Sequence, residues 1–547
     1  GLNQGFDLYD DNYGKGPARL NFSMQERSAA AVLEAGSQWW RANEGKKRFM
    51  WVHLYDPHAP YRPPEPFAAE YGRDRYRGEV AYVDHALAGM VGPLLTPDTL
   101  IIVTSDHGEG LGEHSEATHG LFAYEPTLKV PLLVAGAGVP QRREPQYVRH
   151  IDIAPTILSV AGTPPPAALP GKSLLESIGS RDTYFESLSA SLNRGWAPLT
   201  GVITRGQKYI DLPIPELYDL SSDPEEKTNR RAEKRREVEA ARRLLASLTA
   251  GTTTSQRTMD AEEIARLRSL GYVSGNAKQK TTYTEADDPK NLIDVNTKMN
   301  QIVESYENGD LQGALLIARQ VVADHPEMDA GRELLAFVLQ EAGDVSGAVE
   351  QLRAVLAQGR GSDDLKAQIA LLLCELGRSK EAVQLLSGIA DSGNPDVINA
   401  YGVALADSAR PAEAVRQFER LLARDPNNAP ALQNLGVVML RQNDVTRARH
   451  YLTRAVELNP RLPLAWNTLG VVHARTDDFA GAMAAWKRAI AVDPRQFDTL
   501  FNLGMVAARV GQKEEAARAL QRFIATAPPR QYAPDIATAQ RVLASVQ

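Results

Sequence analysis

Two patterns of apolar and polar positions divide the chain. From about Lys290 onward, apolar residues recur at helical spacing throughout. Upstream, short β-like runs alternate with helical patterns. The run Phe49-Met-Trp-Val ends abruptly in His53-Leu-Tyr-Asp-Pro-His58, which predicts a buried strand handing over to a loop. Leu100 to Thr104 reads the same way and opens into Asp106, His107 and a glycine-rich turn, and His150 and Asp152 fall on another predicted buried strand. Between the two halves, the polar stretch from Val273 to Pro289 has no apolar period. The pattern therefore predicts a first domain over 1–275, a linker over 276–290, helical repeats over 291–530 and a capping helix over 531–547.

The second half is periodic in identity as well as polarity. Gly402, Gly436, Gly470 and Gly504 are 34 residues apart, and Pro426, Pro460, Pro494 and Pro528 keep the same step. So do Ala414, Ala448, Ala482 and Ala516, while Ala314, Ala348 and Ala382 carry it upstream with one interval of 32. Each unit reads as two helices. The first carries a glycine where its neighbour must approach closely; the second carries the small alanine and, four residues later, Phe418, Leu452, Trp486 or Leu520. Proline then ends the pair. Such a pair cannot bury its apolar face alone, so about seven units must stack into a solenoid. This pattern closely resembles the tetratricopeptide repeat, and the resemblance implies a surface for a protein or peptide partner. Asn434 and Asn502, at equivalent positions, read as exposed polar residues, and Cys374 as a buried apolar side chain.

Composition narrows the rest. Sixty-one Lys and Arg against 68 Asp and Glu leave a net charge of −7, which argues against a nucleic-acid binder. In Arg230 to Glu237 acids alternate with bases, which fits a solvated helix face. The single cysteine permits no internal disulfide and no cysteine-based zinc site. No apolar run of about 18 residues occurs, so no membrane span is predicted.

Seven of the ten histidines lie in the first half, all between His53 and His150. An Asp106-His107 pair at a strand end can offer oxygen and nitrogen to one cation, with further ligands needed from elsewhere. Glu109, His114 and His119 crowd the same loop, and His58 ends the other predicted strand.

These segments resemble the sulfatases of the alkaline phosphatase superfamily over residues 1 to 272. The motifs are Gly5-Phe-Asp-Leu-Tyr-Asp-Asp, Tyr55-Asp-Pro-His-Ala-Pro-Tyr, Gly78-Glu-Val-Ala-Tyr-Val-Asp and Ser105-Asp-His-Gly-Glu-Gly-Leu-Gly-Glu-His. They continue with Thr118-His-Gly-Leu-Phe-Ala-Tyr-Glu, Val130-Pro-Leu-Leu-Val, Ile151-Asp-Ile-Ala-Pro-Thr and Glu216-Leu-Tyr-Asp-Leu-Ser-Ser-Asp-Pro. Leu267-Arg-Ser-Leu-Gly-Tyr looks like the boundary of bacterial sulfatases fused to such repeats. The resemblance implies an α/β hydrolase domain followed by an all-α solenoid, a sulfate or phosphate ester as substrate, and an exported, periplasmic location. Asp106 and His107 match the second pair of metal ligands, for calcium first, with manganese or zinc as alternatives. His58 matches the histidine that contacts the transferred group or protonates the leaving oxygen. His119 stands where relatives hold the anion, often with Lys. His114 and Tyr124 are expected beside the substrate, with Glu109 supporting the ligands.

One departure limits the chemistry. The family's nucleophile, a formylglycine made from Cys or Ser in Cys-or-Ser-x-Pro-x-Arg, has no counterpart in the 547 residues. Asp10-Asp11 fits a segment that follows the nucleophile better than it fits the first metal pair. The expectation is that both motifs lie upstream of Gly1, that the half-sheet here exposes apolar edges, and that these residues alone turn over no ester. The competing readings are a phosphodiester or phosphonate ester hydrolase of the same superfamily, and a non-catalytic repeat scaffold with a hydrolase remnant.

Overall fold

The computed structural model describes residues 4–10, 26–136, 138–250, 280–359 and 361–546. The fold is α/β with small sheets in the first half, followed by consecutive helix pairs. Two compact units result, Gly1–Leu334 and Leu335–Gln547.

In the first unit, α1 (Ala29–Ala42) and α2 (Arg75–Leu94) share an apolar cluster of Leu33, Tyr82 and Met90, with Met50, Val52 and Leu54 packed against it. β1 (Leu100–Thr104) pairs antiparallel with β2 (Leu132–Gly136), from Leu100 opposite Gly136 to Thr104 opposite Leu132. β3 (Thr183–Ser187), β4 (Leu199–Thr204), β5 (Gln207–Asp211) and β6 (Glu216–Asp219) form an antiparallel meander in chain order. The β4–β5 connection is the pair Arg205-Gly206, both at positive φ (50° and 79°), the turn that suits the twist of a two-residue hairpin. Val238, Ala241 and Leu245 of the helix Arg235–Thr249 pack on Val202, Tyr209 and Leu217 of this sheet. The charges of that helix occupy the rest of its surface, as its alternating sequence predicts.

Three predicted elements differ. Residues 49–53 form no strand, and Phe49 and Trp51 are 56% and 61% exposed. A buried strand needs neighbours on both sides, and this run has none to pair with among the described residues. β1 is half-buried, not buried, because it has one antiparallel partner. His150 and Asp152 lie on a single 3-10 turn leading into the helix Ile153–Val160. Asp152, fully buried, is held there by Arg181 at 2.6 Å, the Arg149 side chain at 3.3 Å and the Lys172 amide at 2.9 Å. Of the Asp10-Asp11 pair, Asp10 makes an ion pair with Arg27 at 2.9 Å, and Asp11 lies outside the described residues. The 267–272 motif and residues 276–279 of the predicted linker also lie outside them.

Residues 280–291 are packed. Asp288, fully buried, accepts from the Ile214 amide at 2.8 Å; Lys290 donates to the Ile214 carbonyl at 2.8 Å; the Ala197 amide donates to the Asp287 carbonyl at 2.9 Å. The first repeat pair, Ile293–Glu307 and Leu311–Asp324, belongs to this unit, where Arg194 hydrogen-bonds Asn296.

Six more pairs follow: Asp329–Glu341 with Val345–Ala357, Asp363–Glu375 with Ser379–Ser387, Pro395–Asp407 with Pro411–Arg424, Ala429–Arg441 with Val445–Leu458, Pro463–Arg475 with Phe479–Val492, and Phe497–Arg509 with Lys513–Thr526. Pro529–Val546 closes the array, its Ala539 packed beside Leu520 and Phe523. Asp310, Asp344, Asp444 and Asp478 cap second helices by accepting from the amide three residues on, at 2.9 to 3.0 Å. The conserved step of glycines has a direct cause. A Cβ on Gly402, Gly436, Gly470 or Gly504 would stand 2.6, 2.5, 2.4 or 2.5 Å from Phe418, Leu452, Trp486 or Leu520, the large residue of the same unit's second helix. Asn434 donates to Asn399 at 2.8 Å. Cys374 is half-buried, and burial pushes its thiol up to about 11.

Candidate functional site

The loops after residue 54 and after β1 converge on three imidazoles. His119 stacks on His107 with ring centroids 4.0 Å apart and meets His58 edge-on at 5.2 Å. The loop after β1 is folded back tightly: Gly108 donates to the Thr127 carbonyl at 2.8 Å and Gly110 to that of Thr118 at 2.6 Å. A Cβ on Gly108 would lie 2.1 Å from the Pro126 oxygen, and one on Gly110 2.5 Å from the Glu116 oxygen, so larger residues cannot follow this path.

Each imidazole has an assigned orientation. His58 Nδ1 lies 2.6 Å from the Ala59 carbonyl and must donate to it, which leaves Nε2 to accept from the Tyr55 hydroxyl at 3.2 Å. Burial, and after it the neighbouring His119, lower the His58 pKa, so the ring is neutral near pH 7. His107 Nδ1 donates to the Gly108 carbonyl at 2.9 Å. His119 Nδ1 faces both oxygens of the buried Glu109 carboxylate, at 3.2 and 3.3 Å, and donates to it. Tyr61 and Tyr76 meet edge to face at 5.4 Å nearby; burial first and the Glu109 charge next raise both phenols.

Asp106 is exposed, with Oδ2 3.7 Å from His107 Nε2 and Oδ1 accepting from the His107 amide at 3.0 Å. Among the described residues no three His, Cys, Asp or Glu side chains gather as a cation site. A hard divalent cation takes about six oxygen ligands. Asp106 and His107 alone do not fit one.

His114 and Tyr124 form another group. Their rings stack at 3.6 Å and 12°, and the Tyr124 hydroxyl, buried, donates to Glu216 at 2.9 Å. Burial lowers the His114 pKa. The structure thus brings His58, His119, His107 and Asp106 together and seats His114 and Tyr124 against the β6 residue Glu216. The residues unmarked in the sequence are Tyr55, Tyr61 and two buried glutamates, Glu79 and Glu116. Glu79 accepts from the His58 and Arg62 amides, and Glu116 from those of Leu121 and Phe122. Tyr55, Tyr61 and Glu79 lie inside the quoted motifs, and Glu116 falls between two of them.

Comparison with known proteins bears on both halves of the chain. Residues 1–163 match the sulfatase family model, and 112–251 match the model described as N-sulphoglucosamine sulphohydrolase, C-terminal. Tetratricopeptide repeat models match residues 305–367, 405–470 and 469–544. The chain joins a sulfatase-family region to tetratricopeptide repeats. Arylsulfatase K of Rattus norvegicus is 35% identical over 172 residues, 28% of this chain and 29% of that protein. Uncharacterized sulfatase YidJ of Escherichia coli (strain K12) is 30% identical over 158 residues, 27% and 32% of the two chains. The chain thus spans less than a third of the length of either. Among solved structures, a tetratricopeptide repeat protein from Parabacteroides merdae aligns with TM-score 0.36 and 13% identity over 46% of this chain and 98% of that one. The putative sulfatase yidJ from Bacteroides fragilis aligns with TM-score 0.36 and 16% identity, covering 41% and 59%. No helix among the described residues is long and apolar enough to cross a membrane.

Proposed function

We propose that the first region serves the hydrolysis of a sulfuric ester, with the solenoid holding a protein or peptide partner. The observation that supports it most is the His58–His119–His107 row with Glu109 behind it. Ester cleavage places negative charge on the peripheral and leaving oxygens, and donors fixed in advance stabilise it. Glu109 holds the Nδ1 hydrogen of His119, which turns the ring's Nε2 away from the carboxylate and toward an anion. His58 takes up a proton when an anion lies beside it and gives that proton to the departing alkoxide. Asp106 and His107 would contribute to a divalent cation only with ligands from outside the described residues, and a cation in such a place would offset charge on the ester. No Cys-or-Ser-x-Pro-x-Arg motif occurs among the 547 residues to supply the nucleophile.

The chain is tested with 4-nitrophenyl sulfate and bis(4-nitrophenyl) phosphate for turnover, and with tungstate for binding, read through the histidine C2–H resonances. No turnover and saturable tungstate binding that is lost in His119→Ala are expected. Turnover confined to the phosphodiester would favour the phosphate ester reading. Tungstate binding equal in His119→Ala, or none at all, would leave a repeat scaffold with an idle hydrolase region.

A further inference from the structure

The two loops that carry the row have little regular backbone pairing, so their amides need other acceptors. Two buried carboxylates supply them in the same manner. Glu79, 4% exposed on α2, accepts from the His58 amide at 3.1 Å with one oxygen and from the Arg62 amide with the other. One side chain thus closes the loop that presents His58. Gly78 allows this approach: a Cβ there would stand 2.9 Å from Pro63 Cγ. Glu116, 3% exposed, accepts from the Leu121 amide at 2.7 Å and the Phe122 amide at 3.3 Å, immediately after His119. The Glu116 carbonyl also accepts from Gly112 at 2.8 Å, which ties the loop's outward and return strands together.

We propose that Glu79 and Glu116 are positioning residues, each fixing the backbone of one of the two loops and so setting the spacing of the His58–His119–His107 row. The assignment deepens the ester-hydrolase reading and rests on it for its purpose. Neither carboxylate meets the reacting group; both act through the histidine loops. Their burial supports the role, because an acceptor shielded from water holds its donors at fixed geometry. Burial also pushes both carboxyls up to about 7, so each titrates near neutrality. The charges facing Glu79 are Asp56 and Glu26, and those facing Glu116 are His119 and Glu109.

The test uses the full chain labelled at His and Arg with 15N. In the wild type, the His58 and Arg62 amide shifts should move together across pH 5.5–8.5 as Glu79 ionises; amides flat across that range would overturn the proposal without any variant being made. In Glu79→Gln, which offers one acceptor where the carboxylate offers two, the His58 imidazole titration should rise toward its ordinary value. Glu116→Gln should displace the His119 ring C2–H resonance in turn. Both variants should bind tungstate about tenfold more weakly, the usual loss when a supporting partner is removed. A merely structural carboxylate would lower the melting temperature and leave the imidazole titrations unmoved, and that result in a folded variant overturns the assignment. A wild type that binds no tungstate sinks the ester-hydrolase reading instead, while the amide and imidazole titrations still decide the clamp.

Discussion

Gly436→Ala tests the close approach within a repeat. The added Cβ would stand 2.5 Å from Leu452 Cγ and 2.8 Å from Cδ2, and Leu452 is fully buried. Forcing a methyl into a packed core costs about 1–3 kcal/mol. Alanine in place of glycine inside a helix contributes about 1 kcal/mol in the other direction. The net expectation is destabilisation of about 0–2 kcal/mol. Leu452→Ala alone removes the side chain that the methyl meets and costs about 2–5 kcal/mol through the cavity it leaves. In that background the clash is gone, so Gly436→Ala should stabilise by about 1 kcal/mol through helix propensity alone. The sign therefore reverses between backgrounds, a coupling of about 1–3 kcal/mol. Urea unfolding of the four chains, followed by far-UV circular dichroism, measures it. A Gly436→Ala effect of equal size and sign in both backgrounds would refute the contact as the reason for glycine.

The remaining predictions concern buried charge. Lys208 Nζ, fully buried, lies 2.7 Å from Glu226 and 3.3 Å from Glu125, so Lys208→Met should cost about 3–5 kcal/mol by stranding the carboxylates; Glu226→Gln in the same chain should recover part of it in urea melts. Glu79 and Glu116, raised to about 7, keep their protons in the folded chain at a pH where the unfolded chain has lost them. Their contribution to stability is therefore present below about pH 4.5 and is lost as pH rises through 7, by up to about 3 kcal/mol per group. Unfolding midpoints measured from pH 5 to 8 should fall less steeply in Glu116→Gln than in wild type; an unchanged slope would contradict the shift.

The repeats were legible because their packing rule is written in identities: a glycine and the large residue of the same unit's second helix recur at one step, and the contact between them is what the step preserves. The histidine row was legible in part, since His58, His107 and His119 lie in motifs whose order is distinctive. The strand predicted at Phe49 failed because an apolar run specifies burial only when neighbours exist to bury it, and Phe49 and Trp51 face outward here. His150 and Asp152 misread for a different reason. Asp152 is buried because two arginines and two backbone amides satisfy it, a tertiary arrangement that no local period encodes. Glu79 and Glu116 were silent as well, since a glutamate that accepts from two backbone amides looks in sequence like any surface acid.

Asp287, Asp288 and Lys290 bear on how such a protein can be taken apart. Composition invites a cut near residue 276, which would strip the Ile214 amide of its acceptor and the Ala197 amide of the carbonyl that receives it. Lys290, whose Nζ stands 3.7 Å from Glu216, would leave with them, removing a counter-charge from the carboxylate on which Tyr124 rests. The first compact unit therefore runs past the compositional boundary and takes in the first helix pair. What reads as a hinge between modules is a wall of the first one.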